Sequence, residues 1–226
     1  MSKDINKKRI LIIGDSLALP RVHPEKVEYR ETWPELLKNT GKFEIIQLSI
    51  GGGTIVDIFD QLSYYKYFQT DIIVIQLGIV DCAPRALTQF ELKLFQSNKL
   101  FSLILSRFLP INFLRRIRNI SYVDLYKFCE FYEKMILQFK NCYVINVGIL
   151  PIPIDYEKKL AGITKNQFKY NTAIKSISQK YGCYYIDSEL MPLNGIMTDY
   201  HHLNSKGHLW IYNSIVKAID SFILNK

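Results

Sequence analysis

Five short apolar runs alternate with helical patterns along this chain, and that alternation restricts the fold more than any other feature. The runs are 9–13, 43–48, 71–77, 142–147 and 183–186, and each is followed by Gly, Ser or Asp. Their length suits a strand, and continuous apolarity, as in Ile72-Ile73-Val74-Ile75, is what a strand covered on both faces requires. Between them, Leu125, Phe128, Cys129, Tyr132, Met135, Ile136 and Phe139 recur at three- and four-residue steps, so they share one helical face. Thr164 followed by Gln167 has the form of a capping box, with Tyr170, Ile174, Ile177 and Tyr181 as the apolar stripe behind it. A last helix is expected after Ser205, burying Tyr212, Ile215, Val216, Ile219, Phe222 and Ile223. With no internal repeat and no linker, residues 1–226 are expected to form a single, doubly wound α/β domain with about five parallel strands.

Charge and cysteine usage narrow the setting. The chain has 48% hydrophobic and 22% charged residues, which excludes disordered and low-complexity architectures. Its formal net charge of +8 raises nucleic acid, an anionic membrane or an acidic substrate as partners. No aromatic–basic alternation of the kind that binds RNA accompanies its tyrosines, so nucleic acid is not expected. Most of the excess lies in 84–122, where Arg85, Lys93, Lys99, Arg107, Arg115, Arg116 and Arg118 face a single acid, Glu91. That segment is otherwise apolar and reads as short helices, 100–105 and 108–114, around a break at Pro110. It is either a lid or anion-facing patch, or a helical connection packed on the sheet with its basic face in water. A membrane-surface or homodimer contact through 87–118 is a further reading. Cys82, Cys129, Cys142 and Cys183 form no C-x-x-C pair, which argues against a zinc site or disulfide framework. The apolar run after Lys7, Lys8 and Arg9 is cut short by Asp15, too early for a secretory leader. The longest uncharged stretch, 141–154, is broken by Pro151 and Pro153 and falls short of a membrane span. A cytoplasmic protein is expected.

The residues that carry chemistry follow the first two runs and precede the last helix. Gly14-Asp15-Ser16-Leu17 stands at the end of the first strand, where open α/β sheets place their ligands. Asp199 lies three residues ahead of His202, a spacing that lets a carboxylate hold one ring nitrogen while the other takes a proton from a hydroxyl. Serine needs such a base, because its free hydroxyl is a poor nucleophile at neutral pH. Gly51-Gly52-Gly53 after the second strand lets backbone N–H groups approach a developing oxyanion.

Together these blocks resemble the SGNH hydrolases, the GDSL family of esterases and lipases, from one end of the chain to the other. The resemblance implies a flavodoxin-like, three-layer α/β/α sandwich with a helical insertion after the third strand. It implies Ser16 as nucleophile, His202 as base and Asp199 as its acid, with the backbone N–H groups of Ser16 and Gly52 as the oxyanion hole; Gly51 and Gly53 stand close behind Gly52. No metal or organic cofactor is implied. The family's third block reads G-x-N-D, whereas Gly78-Ile79-Val80-Asp81 puts Val80 in place of the Asn that completes the oxyanion hole. An isopropyl group donates no hydrogen bond. Arg85, further along the same loop, is the candidate replacement donor or a holder of an anionic substrate group, against a salt bridge to Asp81 or a helix acid. Val80, Arg85 and Asp81 are therefore the candidate substrate contacts, with Asp81 read chiefly as a cap.

Other residues are read more plainly. Asp15 holds the turn of the nucleophile. His201 and His202 are expected to point apart, His208 to sit in solvent or at a cap, and His23 to be exposed or to line the pocket. Asn171 is structural. The activity implied is a serine esterase working through an acyl-enzyme and removing a small acyl group, acetyl, from a carbohydrate or glycan precursor. Its alternatives are an O-acyltransferase on a sugar hydroxyl, or a catalytically weak homologue that binds a glycan or partner.

Overall fold

The computed structural model describes residues 7–88, 91 and 111–224. Strands β1 (Lys8–Gly14), β2 (Phe43–Ser49), β3 (Ile72–Gln76), β6 (Tyr143–Val147) and β7 (Tyr184–Ile186) form one parallel sheet in the order β2-β1-β3-β6-β7. The five apolar runs are thus the five strands of an α/β sheet with flanking helices. Ile10, Leu11, Ile12 and Ile13 are fully buried, as are Ile73, Val74 and Ile75, so both faces of the central strands are covered. Each such side chain stabilises the fold by roughly 1.5–3 kcal/mol relative to exposure.

Two groups of helices supply that cover. Helix α1 (Trp33–Asn39) packs against the last helix, α7 (Ser205–Leu224). On the other side α2 (Ile55–Leu62) packs on α4 (Leu125–Gln138), and α4 on α6 (Ile163–Lys180). The predicted face of α4 holds, with Phe128, Tyr132, Met135 and Ile136 buried and Asp124 capping the helix through the Lys127 N–H at 2.9 Å.

Two helix readings are corrected. Helix α6 starts without a Thr164 cap. Gly162, at φ +93°, is the residue before it, and Glu157 of the short helix α5 (Ile154–Lys159) accepts the N–H groups of Gly162 (2.7 Å) and Thr164 (3.0 Å). A carboxylate from the preceding element thus takes the orphan donors that a local cap would have taken. In α7, Ile223 is exposed, in the last turn of the helix.

After β3 the chain forms a small antiparallel ribbon, β4 (Pro84–Arg85) with β5 (Ile120–Ser121), and α3 (Ile111–Arg118), which buries none of its residues. The expected helix 100–105, and most of the 87–118 contact surface, lie outside the described residues. No helix among the described residues is long and apolar enough to cross a membrane.

One consequence of the register positions the site. Gly14 is paired with Ser49 on one side and Gln76 on the other, so β1, β2 and β3 end at one level. The strand order also reverses between β1 and β3, which opens a crevice at their carboxyl ends.

Candidate active site

Three loops and one turn meet at that crevice. The first loop leaves β1 through Asp15, a buried residue whose carboxylate accepts the Leu17 N–H at 2.9 Å and caps the single turn Ser16–Ala18. Burial pushes this carboxyl up to about 7, and its hydrogen bond goes to the turn, whereas His202 is held by Asp199. The turn presents the half-buried Ser16, whose Oγ lies 3.0 Å from His202 Nε2.

His202 comes from the turn before α7. Ile196 and Leu203 form a bridge across its base, and the Met197 N–H donates to the His202 carbonyl at 2.8 Å. Tyr200 sits at φ +75°, which folds the turn back on itself so that Asp199 Oδ1 accepts the N–H groups of His201 (3.2 Å) and His202 (3.1 Å). The other carboxylate oxygen, Oδ2, lies 2.7 Å from His202 Nδ1. An ionised carboxylate only accepts, so Nδ1 carries the proton and Nε2 keeps its lone pair. Burial would raise the Asp199 carboxyl, but the hydrogen bonds from His202 and the His201 backbone outweigh it and hold the group below its ordinary value. Burial, together with neighbouring His201, pushes His202 down to about 4 despite Asp199. The imidazole is therefore neutral at pH 7, as a proton acceptor must be.

The second loop brings Gly51 and Gly52 to the pocket, and Gly52 adopts φ +71°, a conformation that favours glycine. Gly53 is buried instead, donating to the Ile50 carbonyl at 3.0 Å, and Thr54 then caps α2 in a reciprocal capping box with Asp57. The third loop begins at Gly78, at φ +121°, where a Cβ would stand 2.8 Å from the Ile149 side chain. It delivers Ile79, Val80 and Ala83. With Arg21 and Tyr156 these residues enclose a pocket of about 300 Å3 beside Ser16, His201 and His202. A larger hollow of about 410 Å3, lined by Lys8, Arg9, Gln69 and Asp71, lies at the opposite, amino-terminal edge of the strands, away from this chemistry.

Several expected contacts lie elsewhere. Asp81 is buried and accepts the Ile55 N–H at 2.9 Å, so it holds the start of α2 and does not line the pocket. Arg85 is carried off by the β4–β5 ribbon; its guanidinium lies 3.8 Å from the centre of the Tyr122 ring and lines a separate pocket with Thr88 and Asp124. Nor is Arg85 in an ion pair with Asp81. Of the three candidate substrate contacts, only Val80 stands beside Ser16.

The expectations for the histidines hold only in part. His201 and His202 do not point apart: their ring centres are 4.1 Å from each other, and His201 stacks on Tyr156 at 5.3 Å. His208 is buried, its Nδ1 accepting the Trp33 N–H at 3.2 Å. His23 is exposed and outside the pocket. Asn171 is structural in its contacts, spanning the Ile149 N–H (2.7 Å) and carbonyl (3.0 Å). Asp199, His201 and His202 bring possible metal-ligand atoms within 4.8 Å of one another, but the His202 nitrogens already face Asp199 on one side and Ser16 on the other.

Arg21 and Tyr156 escaped the sequence reading. For Arg21 a positional signal existed: it is the first charged residue after Ser16 in the loop leaving β1. Its guanidinium is hydrogen-bonded to His202 Nε2. Tyr156 had none, since α5 lies far along the chain from both ends of the site.

A serine, a neutral histidine and an ionised aspartate in one hydrogen-bonded chain, opening on a pocket at the reversal point of a parallel sheet, is the arrangement of a serine hydrolase. The chain belongs to the GDSL-like lipase/acylhydrolase family, whose model matches residues 12–210, and it is a carboxylic ester hydrolase of that type. Solved structures with the same fold include a lipase/acylhydrolase from Enterococcus faecalis, at 15% identity and a TM-score of 0.66, covering 95% of this chain and 96% of that one. A carbohydrate acetylesterase from Sinorhizobium meliloti, Est24, is 14% identical with a TM-score of 0.65, covering 96% and 100%. An acetyl xylan esterase, AlAXEase, is 18% identical with a TM-score of 0.63, covering 93% and 99%. No curated protein matches the sequence.

Proposed function

We propose that this esterase removes a small acyl group, acetyl, from a carbohydrate or glycan precursor, with Ser16, His202 and Asp199 as its catalytic residues. The observation that carries the mechanism is the unbroken chain from Ser16 Oγ through His202 (3.0 Å to Nε2, 2.7 Å from Nδ1) to Asp199. Ser16 attacks the ester carbonyl while Nε2 takes its proton. Asp199 holds the ring in the productive tautomer and stabilises the imidazolium. The backbone N–H groups of Ser16 and Gly52 receive the oxyanion, and His202 returns the proton to the departing alcohol. Water, deprotonated by the same Nε2, attacks the acyl-serine and releases acetate.

A short acyl group suits a pocket of about 300 Å3 walled by Ile79, Val80 and Ala83. The carbohydrate side is supported by the likeness to the carbohydrate and xylan acetylesterases. Val80 offers no side-chain donor, so in this reading the oxyanion is held by the backbone N–H groups of Ser16 and Gly52, which favours modest turnover over high speed. A cytoplasmic setting fits the four cysteines, all of which are unpaired. The test is acetate release from O-acetylated sugars by the wild type and by Ser16→Ala. Release from the wild type alone supports the reading, and equal rates remove Ser16 from the mechanism.

A further inference from the structure

Arg21 takes no part in the steps above, yet its side chain reaches the atom through which every proton passes. Its backbone is fixed by reciprocal hydrogen bonds with Val27 (3.0 and 2.8 Å), so the half-buried side chain starts from a held position. The guanidinium donates to His202 Nε2, the acceptor that also faces the Ser16 hydroxyl. Among the described residues no carboxylate forms an ion pair with Arg21, and no acid lines the pocket.

A guanidinium keeps its charge in any pocket, and a partly desolvated cation without a counter-charge is the complement of an anion. Its planar fork of donors matches a carboxylate or phosphate. The side on which that anion lies follows from the histidine. Nε2 must hand its proton to the departing alcohol, so a group touching Nε2 stands on the alcohol side of the reacting carbon. The oxyanion lies on the other side, against the Ser16 and Gly52 amides. A neutral ring nitrogen has one lone pair, and Arg21 and Ser16 compete for it.

We infer that Arg21 selects esters whose alcohol part bears an anionic group, carboxylate or phosphate, and that engaging this group draws the guanidinium off Nε2, leaving the lone pair to the Ser16 hydroxyl. The inference rests on the esterase reading and adds the chemistry of its substrate. Arg21 thereby acts in specificity and in readying the base.

The experiment compares kcat/KM on matched acetyl esters: 4-acetoxybenzoate against its methyl ester, and 4-acetoxyphenyl phosphate against 4-methoxyphenyl acetate. The wild type is expected to favour one or both anionic members by about tenfold or more, the scale of one charge-assisted hydrogen bond. Arg21→Gln is expected to lose that preference, and Arg21→Lys to keep part of it. The two pairs tell carboxylate from phosphate recognition. An anionic-to-neutral ratio that is the same in the wild type and Arg21→Gln for both pairs overturns the inference. A second readout needs no turnover: benzoate or inorganic phosphate, titrated into the wild type, is expected to move the nitrogen NMR resonance of His202 Nε2, and no movement with either anion overturns the inference. Failure of a fluorophosphonate to label Ser16 strikes the esterase reading instead, and the NMR titration still decides whether Arg21 takes an anion.

Discussion

The turn before α7 and the first turn of α7 each carry a histidine, His202 and His208, and by local environment the two are nearly alike. Both are buried, and burial is the main reason each is pushed down to about 4. They differ in what the two ring nitrogens meet. His208 receives the Trp33 N–H at the start of α1, where Thr32 makes no side-chain cap, and so stands in for a cap across the α1–α7 contact. His202 has a carboxylate on one nitrogen and a hydroxyl on the other, beside a pocket. A depressed histidine is thus by itself no mark of a base; what sets His202 apart is a second ring nitrogen that faces a hydroxyl.

The sharpest way to break that distinction is to exchange each ring for an amide. His202→Gln is expected to lower ester hydrolysis by roughly ten-thousandfold or more, the scale at which serine hydrolases lose a triad member. His208→Gln is expected to stay within a few-fold of the wild type per folded molecule. Comparable losses in steady-state assays of the two proteins would dissolve the distinction. Asp199→Asn comes next, with a loss of about a thousandfold to ten-thousandfold, because the amide no longer fixes the Nδ1–H tautomer. Its folding, followed by circular dichroism, is expected to be unchanged.

The pH profile sharpens the comparison further. With His202 depressed to about 4, the neutral base persists well below the ordinary histidine range. kcat/KM is expected to hold level from pH 7 to about pH 5 and to fall only as the pH approaches 4. An inflection near 6.5 would show that the ring is not desolvated as the structure has it. His208→Gln is expected to leave this profile in place.

The smallest effects are on stability. Removing the ring in His208→Ala leaves the buried Trp33 N–H without an acceptor and is expected to cost about 1–3 kcal/mol in urea unfolding. The sign of its pH dependence also follows. A histidine at about 4 when folded and in the ordinary range when unfolded binds more protons in the unfolded chain between those values, so stability rises with pH across that window. Asp15 and Asp81, both raised to about 7 chiefly by burial, act the opposite way, losing stability as pH climbs from about 4 to 7. Removing His208 is expected to expose the aspartate slope, making the variant's loss of stability larger at pH 6.5 than at pH 4.5.

Legibility in the sequence followed locality. The strands could be read because burial on both faces leaves them continuously apolar, and the third run, 71–77, brackets β3 at Ile72–Gln76. Ser16 and the Asp199–His202 pair were readable because each sits in a short segment whose chemistry is local. Arg85 was not, because the antiparallel pairing of β4 with β5 turns the chain away from the crevice. The start of α6 was misread for a related reason: Glu157, from another helix, satisfies its first donors.

By itself the order of residues determined the parallel α/β sheet and the chemical types available to the site, since apolar periodicity and short motifs act over a few residues. Which groups converge was decided by the tertiary structure alone. Equal strand ends bring residues 16, 52 and 80 to one level, the fold carries Arg21 and Tyr156 into the same pocket, and the packing of α1 on α7 makes His208 a cap. Hydrogen bonds and charge interactions act over a few ångströms in space, whatever the separation along the chain.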